Sequence, residues 1–292
     1  MDIISRLSGP RKRSDREMRY VEEFLVARKL EGLADGTLDQ YRMELKKFAK
    51  YLDKPSVDVT TNDLRGYLTQ FNEMAQRSIN RKISTLKAYY TWLVEEEYLE
   101  KNPMRKIKTP KEPDMLPRNL SHEDVELLRW HPKSPRNQAI MELLISSGMR
   151  IGELVKLNRD DLVMANRQIR VTGKGNKERL VFFGPIAKFC IISYLNTRKD
   201  DNPALLVNKY GERLTIRSIE MQIKDQAKRA GIKDKVTPHM LRHTFATGMY
   251  EQGADIDFIA RLLGHHSTET TRRYTNINGS EMARMYDKFL VN

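Results

Sequence analysis

Four prolines fall within the stretch 101–119, KNPMRKIKTPKEPDMLPRN: Pro103, Pro110, Pro113 and Pro117. A proline has no backbone donor and a fixed φ, so neither a helix nor a central strand can run through this segment. The 292-residue chain is thereby cut in two, and each part is long enough for a core of its own. The expected divisions are a basic tail over 1–13, a helical domain over 14–100, an extended basic linker over 101–119 and a second domain over 120–279. A C-terminal helix over 280–292 follows.

The first part is patterned for helices. One is expected from about Asp15 to Leu30, with Met18, Val21 and Leu25 on one face. Thr37-Leu38-Asp39-Gln40 has the form of a capping box, followed by Leu38, Tyr41, Leu45, Phe48 and Leu52. A third helix starts near Thr61. The fourth carries Ile79, Ile83, Leu86, Tyr90 and Leu93 as its apolar stripe, with Arg77 and Arg81 opposite and Lys82 and Lys87 at the margins. No acidic residue occurs from Met74 to Val94. A solvated charged face mixes signs, so this face reads as one that meets phosphates.

In the second part, Ser121 caps a helix, and another runs from about Arg136 to Ser147 and stops at Gly148. Residues 168–183 alternate like a hairpin around Gly173-Lys174-Gly175-Asn176. Helices are expected near 186–198, 215–230, 238–252 and 255–263. The fold class is therefore mainly α with a small β-sheet.

The run TPHMLRHTFATGMYEQGADIDFIARLLGHHSTETTRRY, residues 237–274, carries the chemistry. Thr237 is a good N-cap and Pro238 suits the first helical position. That start puts His239 and Arg242 on one face of the first turn, beside unpaired N–H groups that favour an anion. His265 follows the next helix, and Tyr274 comes nine residues later.

The order of these residues resembles the tyrosine site-specific recombinases. His239-Met240-Leu241-Arg242-His243, Leu263-Gly264-His265 and Tyr274 match that family's C-terminal signature. Ser147-Gly148-Met149-Arg150-Ile151-Gly152-Glu153-Leu154 resembles its first-arginine box, and Gly173 to Arg179 its catalytic-lysine hairpin. The likeness spans nearly the whole chain and is nearest the Xer-type members. It implies an N-terminal four-helix SAM-like core-binding domain and a C-terminal α+β catalytic domain, closed round DNA as a C-shaped clamp.

It also implies roles. Tyr274 would be the nucleophile, forming a 3′-phosphotyrosine that conserves the bond energy, so that rejoining needs no ATP. Arg150 and Arg242 would fork onto phosphate oxygens, and Lys174 would protonate the leaving 5′-oxygen. His239 would help activate Tyr274, and His265 would hydrogen-bond the phosphate. Glu153 would orient an arginine or histidine of the site, or form a plain helical ion pair. His243 is expected to be structural. Phosphate contacts are expected from Arg77, Arg81, Lys82 and Lys87, with Thr37 and Tyr41 beside them. No metal or other cofactor is expected. The implied assembly is a homotetramer on two duplexes, each with a specific site. The stripe Met282, Met285, Tyr286, Phe289 and Leu290 docks either on its own domain or, as in the family, on a neighbouring protomer.

Charge agrees with a polyanionic partner. The net charge is +13, and residues 120–292 alone carry +8. A single cysteine, Cys190, sits in an apolar helical pattern and reads as a buried structural thiol. No disulfide within the chain is possible, no apolar run reaches membrane-spanning length, and no signal-peptide core is present, so a cytoplasmic, nucleoid-associated protein is expected. Two rivals stand beside recombination. A DNA-binding protein without cleavage would fit the charge alone. A zinc hydrolase would fit the spacing of His239 and His243, though Met240 stands where HExxH needs its glutamate. Within the family, an integrase of a phage or mobile element remains the alternative to a role in resolving chromosome dimers.

Overall fold

Residues 10–52, 54–111, 119–172, 178–264 and 279–290 are described by a computed structural model. They divide into two units, Met1–Met115 and Leu116–Asn292, each with its own core.

The N-terminal unit holds helices α1 (Pro10–Leu30), α2 (Asp35–Tyr51), α3 (Thr61–Thr69) and α4 (Gln76–Glu95). Its core gathers Val21, Leu45, Phe48, Tyr90 and Leu93, on the faces that periodicity assigns to the interior, together with Phe24 and Leu64. Thr60 caps α3 by accepting from the Asp63 N–H, while Asp63 returns a bond to the Thr60 N–H.

Three sequence expectations change here. The first helix begins at Pro10 rather than near Asp15, so Arg11-Lys12-Arg13 belong to α1 and not to a tail. Thr37 lies inside α2, its N–H bonded to the Ala34 carbonyl, and caps nothing. The linker is not extended throughout. Pro103–Lys106 form a 3₁₀ turn capped by Asn102, and Met104 is buried in the N-terminal core. Apolar burial of one methionine, with a Thr61 hydroxyl donating to the Pro103 carbonyl, outweighs the extended tendency of the prolines.

The C-terminal unit runs α5 (His122–Trp130), α6 (Pro135–Ser147), the short α7 (Ile151–Leu154), strands β1 (Leu162–Val163), β2 (Gln168–Thr172) and β3 (Glu178–Phe182), then α8 (Pro185–Asn196), α9 (Ile216–Arg229), α10 (Pro238–Glu251), α11 (Ile256–Leu263) and α12 (Gly279–Phe289). The strands pair antiparallel in the order β1-β2-β3, with Gln168 opposite Phe182 and Thr172 opposite Glu178. Ile169, Val171 and Val181 face the core, and Arg170 points outward. Cys190 is buried, and burial pushes its thiol up to about 11, which suits a packing residue.

A second cluster closes the far side of this unit. Phe182, Phe245, Phe258, Leu262 and Tyr286 pack together, joined by Met282, Met285, Phe289 and Leu290 of α12. The C-terminal stripe thus lies on its own domain in the single chain.

Candidate active site

Gly148 ends α6 in the left-handed region, at φ +58, and a Cβ there would come within 2.3 Å of the Phe245 ring. Only glycine fits both demands. The turn it makes carries Arg150 to the head of α7. Thr237 accepts from the Met240 N–H and opens α10, which presents His239, Arg242 and His243 in its first turns. Arg150, His239 and Arg242 line one cavity of about 280 Å³ with Met149, Ile151 and Pro238.

Arg242 is buried, and its fork spans two segments. Nη1 donates to the Gly148 carbonyl and Nη2 to the Leu263 carbonyl, both at 2.7 Å. Burial pulls its guanidinium down to about 10, and Arg150 nearby pushes the same way. The group stays charged at neutral pH, and a bound anion would relieve that strain. Arg150 is about half exposed, with Nη1 on Glu153 Oε1 at 3.1 Å and Nη2 on the Gly264 carbonyl at 3.3 Å.

Glu153 is almost fully buried and anchors the arrangement. Its Oε2 accepts from the Arg150 backbone N–H at 2.9 Å. Arg179 on β3 reaches the same carboxylate with both terminal nitrogens, at 2.7 and 3.0 Å. Burial alone would raise this carboxyl; the Arg179 fork and the Arg150 backbone bond hold it below its usual range. Three guanidinium groups surround one carboxylate, which leaves two positive charges in excess for an anion. Arg179 ends the Gly173–Arg179 stretch that resembles the lysine hairpin, and nothing in the sequence marks its role. A lone arginine on a strand gives no signal of its partner.

His239 is exposed and meets His243, with Nε2 to Nε2 at 2.9 Å and the rings edge to face. Burial, then His239 and Arg242, lower the His243 pKa. A donor–acceptor pair of this kind requires at least one neutral ring, and the lowered His243 pKa favours that state. Lys174, His265 and Tyr274 lie outside the described residues.

In the N-terminal unit, Arg77 and Arg81 are exposed on α4. Lys82 is not. It is buried, its Nζ 2.5 Å from Glu44 Oε2 and 4.2 Å from the Phe71 ring centroid. An internal ion pair with a cation–π contact replaces the expected phosphate contact, because at this point α4 faces α2. Lys87 donates to the Thr109 hydroxyl at 2.9 Å, and Asn80 to the Pro110 carbonyl at 3.0 Å. These bonds lay residues 107–111 along α4, adding exposed Lys108 and Lys111 to its basic face. Thr37 is exposed; Tyr41 is half-buried against Phe24, ring centroids 5.5 Å apart.

The phage integrase family matches residues 118–281, and the phage integrase N-terminal SAM-like domain matches 19–97.

The chain belongs to the phage integrase family.

Tyrosine recombinase XerD of Oceanobacillus iheyensis is 33% identical over 92% of this chain and 97% of its own length. Tyrosine recombinase XerC of Histophilus somni is 36% identical over 88% of this chain and 91% of its own. A lambda integrase tetramer bound to a Holliday junction shares the fold, with TM-score 0.70 and 20% identity over 86% of this chain and 78% of that one. The protein is thus a tyrosine recombinase, Xer-like in its relationships, and catalyses site-specific recombination. Among the described residues of this recombinase, no helix is long and apolar enough to cross a membrane.

Proposed function

We propose that this recombinase acts on duplex DNA at a specific site through a 3′-phosphotyrosyl link on Tyr274. The observation that carries the reading is the convergence of Arg150, Arg242 and His239 on one cavity, with Glu153 buried behind it. The scissile phosphate occupies that cavity. Arg150 and Arg242 neutralise its non-bridging oxygens, each contributing on the order of 3–4 kcal/mol to the transition state. Attack by the Tyr274 oxygen forms the phosphotyrosyl bond as the bond to the 5′-oxygen breaks. Lys174 gives that leaving oxygen its proton, His239 takes the phenolic proton, and His265 hydrogen-bonds the phosphate. The reverse attack by a 5′-hydroxyl rejoins the strand, so the cycle is isoenergetic and needs no ATP or metal.

The N-terminal helical unit holds the duplex through Arg77, Arg81 and the basic segment along α4, with Lys87, Thr37 and Tyr41 at its edge. Four protomers assemble on two duplexes, in keeping with the tetramer seen for lambda integrase. In that assembly the α12 stripe leaves its own domain and seats in the equivalent cleft of a neighbour, linking one protomer's Tyr274 to the next. The cellular role is resolution of chromosome dimers in the cytoplasm, supported by the Xer names of the relatives.

Tyr274→Phe tests the chemistry, since it removes one oxygen. The variant binds DNA normally and traps no covalent adduct on a nicked suicide duplex; a wild-type level of adduct overturns the assignment. Footprinting on host genomic DNA then separates a chromosomal resolution site from the attachment site of a mobile element.

A further inference from the structure

The last three carbonyls at the end of α11 are each taken by a different arginine. Leu262 O accepts from Arg179 Nε at 3.5 Å, Leu263 O from Arg242 Nη2 at 2.7 Å, and Gly264 O from Arg150 Nη2 at 3.3 Å. Two of these belong to the proposed phosphate site. The third, Arg179, lies behind it, only partly exposed.

Arg179 also holds Glu153 by a two-point fork, and a fork fixes a carboxylate's plane as well as its position. The same two oxygens hold Arg150, one through its backbone N–H and the other through Nη1. Glu153 therefore cannot rotate without breaking bonds to both arginines. Gly264 closes the arrangement. Its φ is +66, and a Cβ there would come within 2.8 Å of Arg179 Nε and 2.9 Å of its Cδ, so the guanidinium lies directly on the glycine backbone. Three segments far apart in sequence meet on one side chain: the turn at 150–153, strand β3 and the end of α11, immediately before His265.

We infer that Arg179 is a positioning residue for recombination, which sets the direction of the Arg150 guanidinium through Glu153 and the end of α11. It touches neither DNA nor the reacting atoms. Its requirement is for an arginine: a lysine keeps the charge and loses the two-point hold. The inference rests on the proposed role of Arg150.

A double-mutant cycle tests it, using the full chain, single-turnover cleavage of a nicked suicide duplex at saturating protein, DNA affinity and the melting midpoint. Arg179→Lys slows cleavage on the order of tenfold to a hundredfold, as a misdirected catalytic group does, while DNA affinity stays within about twofold. In an Arg150→Ala background the same change slows cleavage by less than about twofold, because there is no guanidinium left to direct. An equal loss in both backgrounds overturns the inference, as does a lowered midpoint with an unchanged rate at a temperature where the protein is folded. Wild-type cleavage by Arg150→Ala alone instead overturns the assignment of Arg150 to the phosphate. If Arg179→Lys does not fold, the cycle is run with Arg179→Gln against Glu153→Gln. Loss of cleavage by Glu153→Gln with no further loss on adding Arg179→Gln supports the coupling, and multiplied losses overturn it.

Discussion

The Tyr286 hydroxyl donates to the Ser146 carbonyl at 2.6 Å, tying the C-terminal helix to the end of α6 two residues before the turn that carries Arg150. Its ring is buried beside Phe182 and Phe245, with centroids 5.6 and 6.5 Å away. Burial pushes the phenol's pKa up, so the group remains a donor throughout the physiological range. Tyr286→Phe should cost about 1 kcal/mol, the net value of one hydrogen bond. Tyr286→Ala should cost about 3–5 kcal/mol, because it also opens a cavity. Urea unfolding measures both; wild-type stability in Tyr286→Phe would show that the hydroxyl contributes nothing.

Two neighbouring cations on α4 should behave in opposite ways. Arg81 is exposed, so Arg81→Ala leaves stability unchanged, weakens DNA binding and lowers the slope of log affinity against log salt by about 0.9. Lys82→Met leaves the largely buried Glu44 with only the more distant, exposed Lys47, 3.6 Å away, and should cost about 3 kcal/mol of stability, the low end for a broken buried pair. Salt titrations beside thermal melts distinguish the two; a salt-slope change with Lys82→Met and no loss of stability would return Lys82 to the DNA face.

Glu153 should steepen the acid limb of the stability profile. Its folded pKa is depressed, so its contribution is present above the ordinary glutamate value of about 4.3 and is lost as pH falls through the lower folded value. Glu153→Gln removes that titration. The variant should be less stable than wild type at neutral pH, and the gap should narrow as the pH drops below about 4. Melting midpoints across this range read it out, and parallel profiles would argue that Glu153 has no shifted ionisation.

Truncation after Gly279 should have two effects. It uncovers Phe182, Phe245 and Phe258, so the monomer's melting midpoint falls. It also removes the element proposed to pass between protomers, so higher-order complexes on DNA and recombination are lost. Sizing on DNA beside a recombination assay checks the second effect. Normal tetrameric complexes without residues 280–292 would rule out exchange and leave α12 as a lid on its own domain.

The helices themselves, the paired strands β2 and β3 and the order of the five motif boxes were legible in the amino-acid sequence because their causes are short-ranged. A cap acts over three residues, as at Thr60 and Ser121, and an apolar stripe repeats every three or four, as on α2 and α4. Residue chemistry also singled out His239 and Arg242, and the family resemblance added Arg150; the fold brings the three to one cavity. At Asp15 and Thr37 the helices start earlier than the local signals place them, at Pro10 and Asp35. Other features depended wholly on the tertiary structure. Glu153 and Arg179 are 26 residues apart, Lys82 and Glu44 are 38, and Tyr286 and Ser146 are 140. Nothing in a lysine on a basic helix says that it is buried, and an amphipathic stripe says that it is covered but not by what. Both are decided by which surfaces meet when the chain closes, and that is a property of the packed fold rather than of any window of sequence.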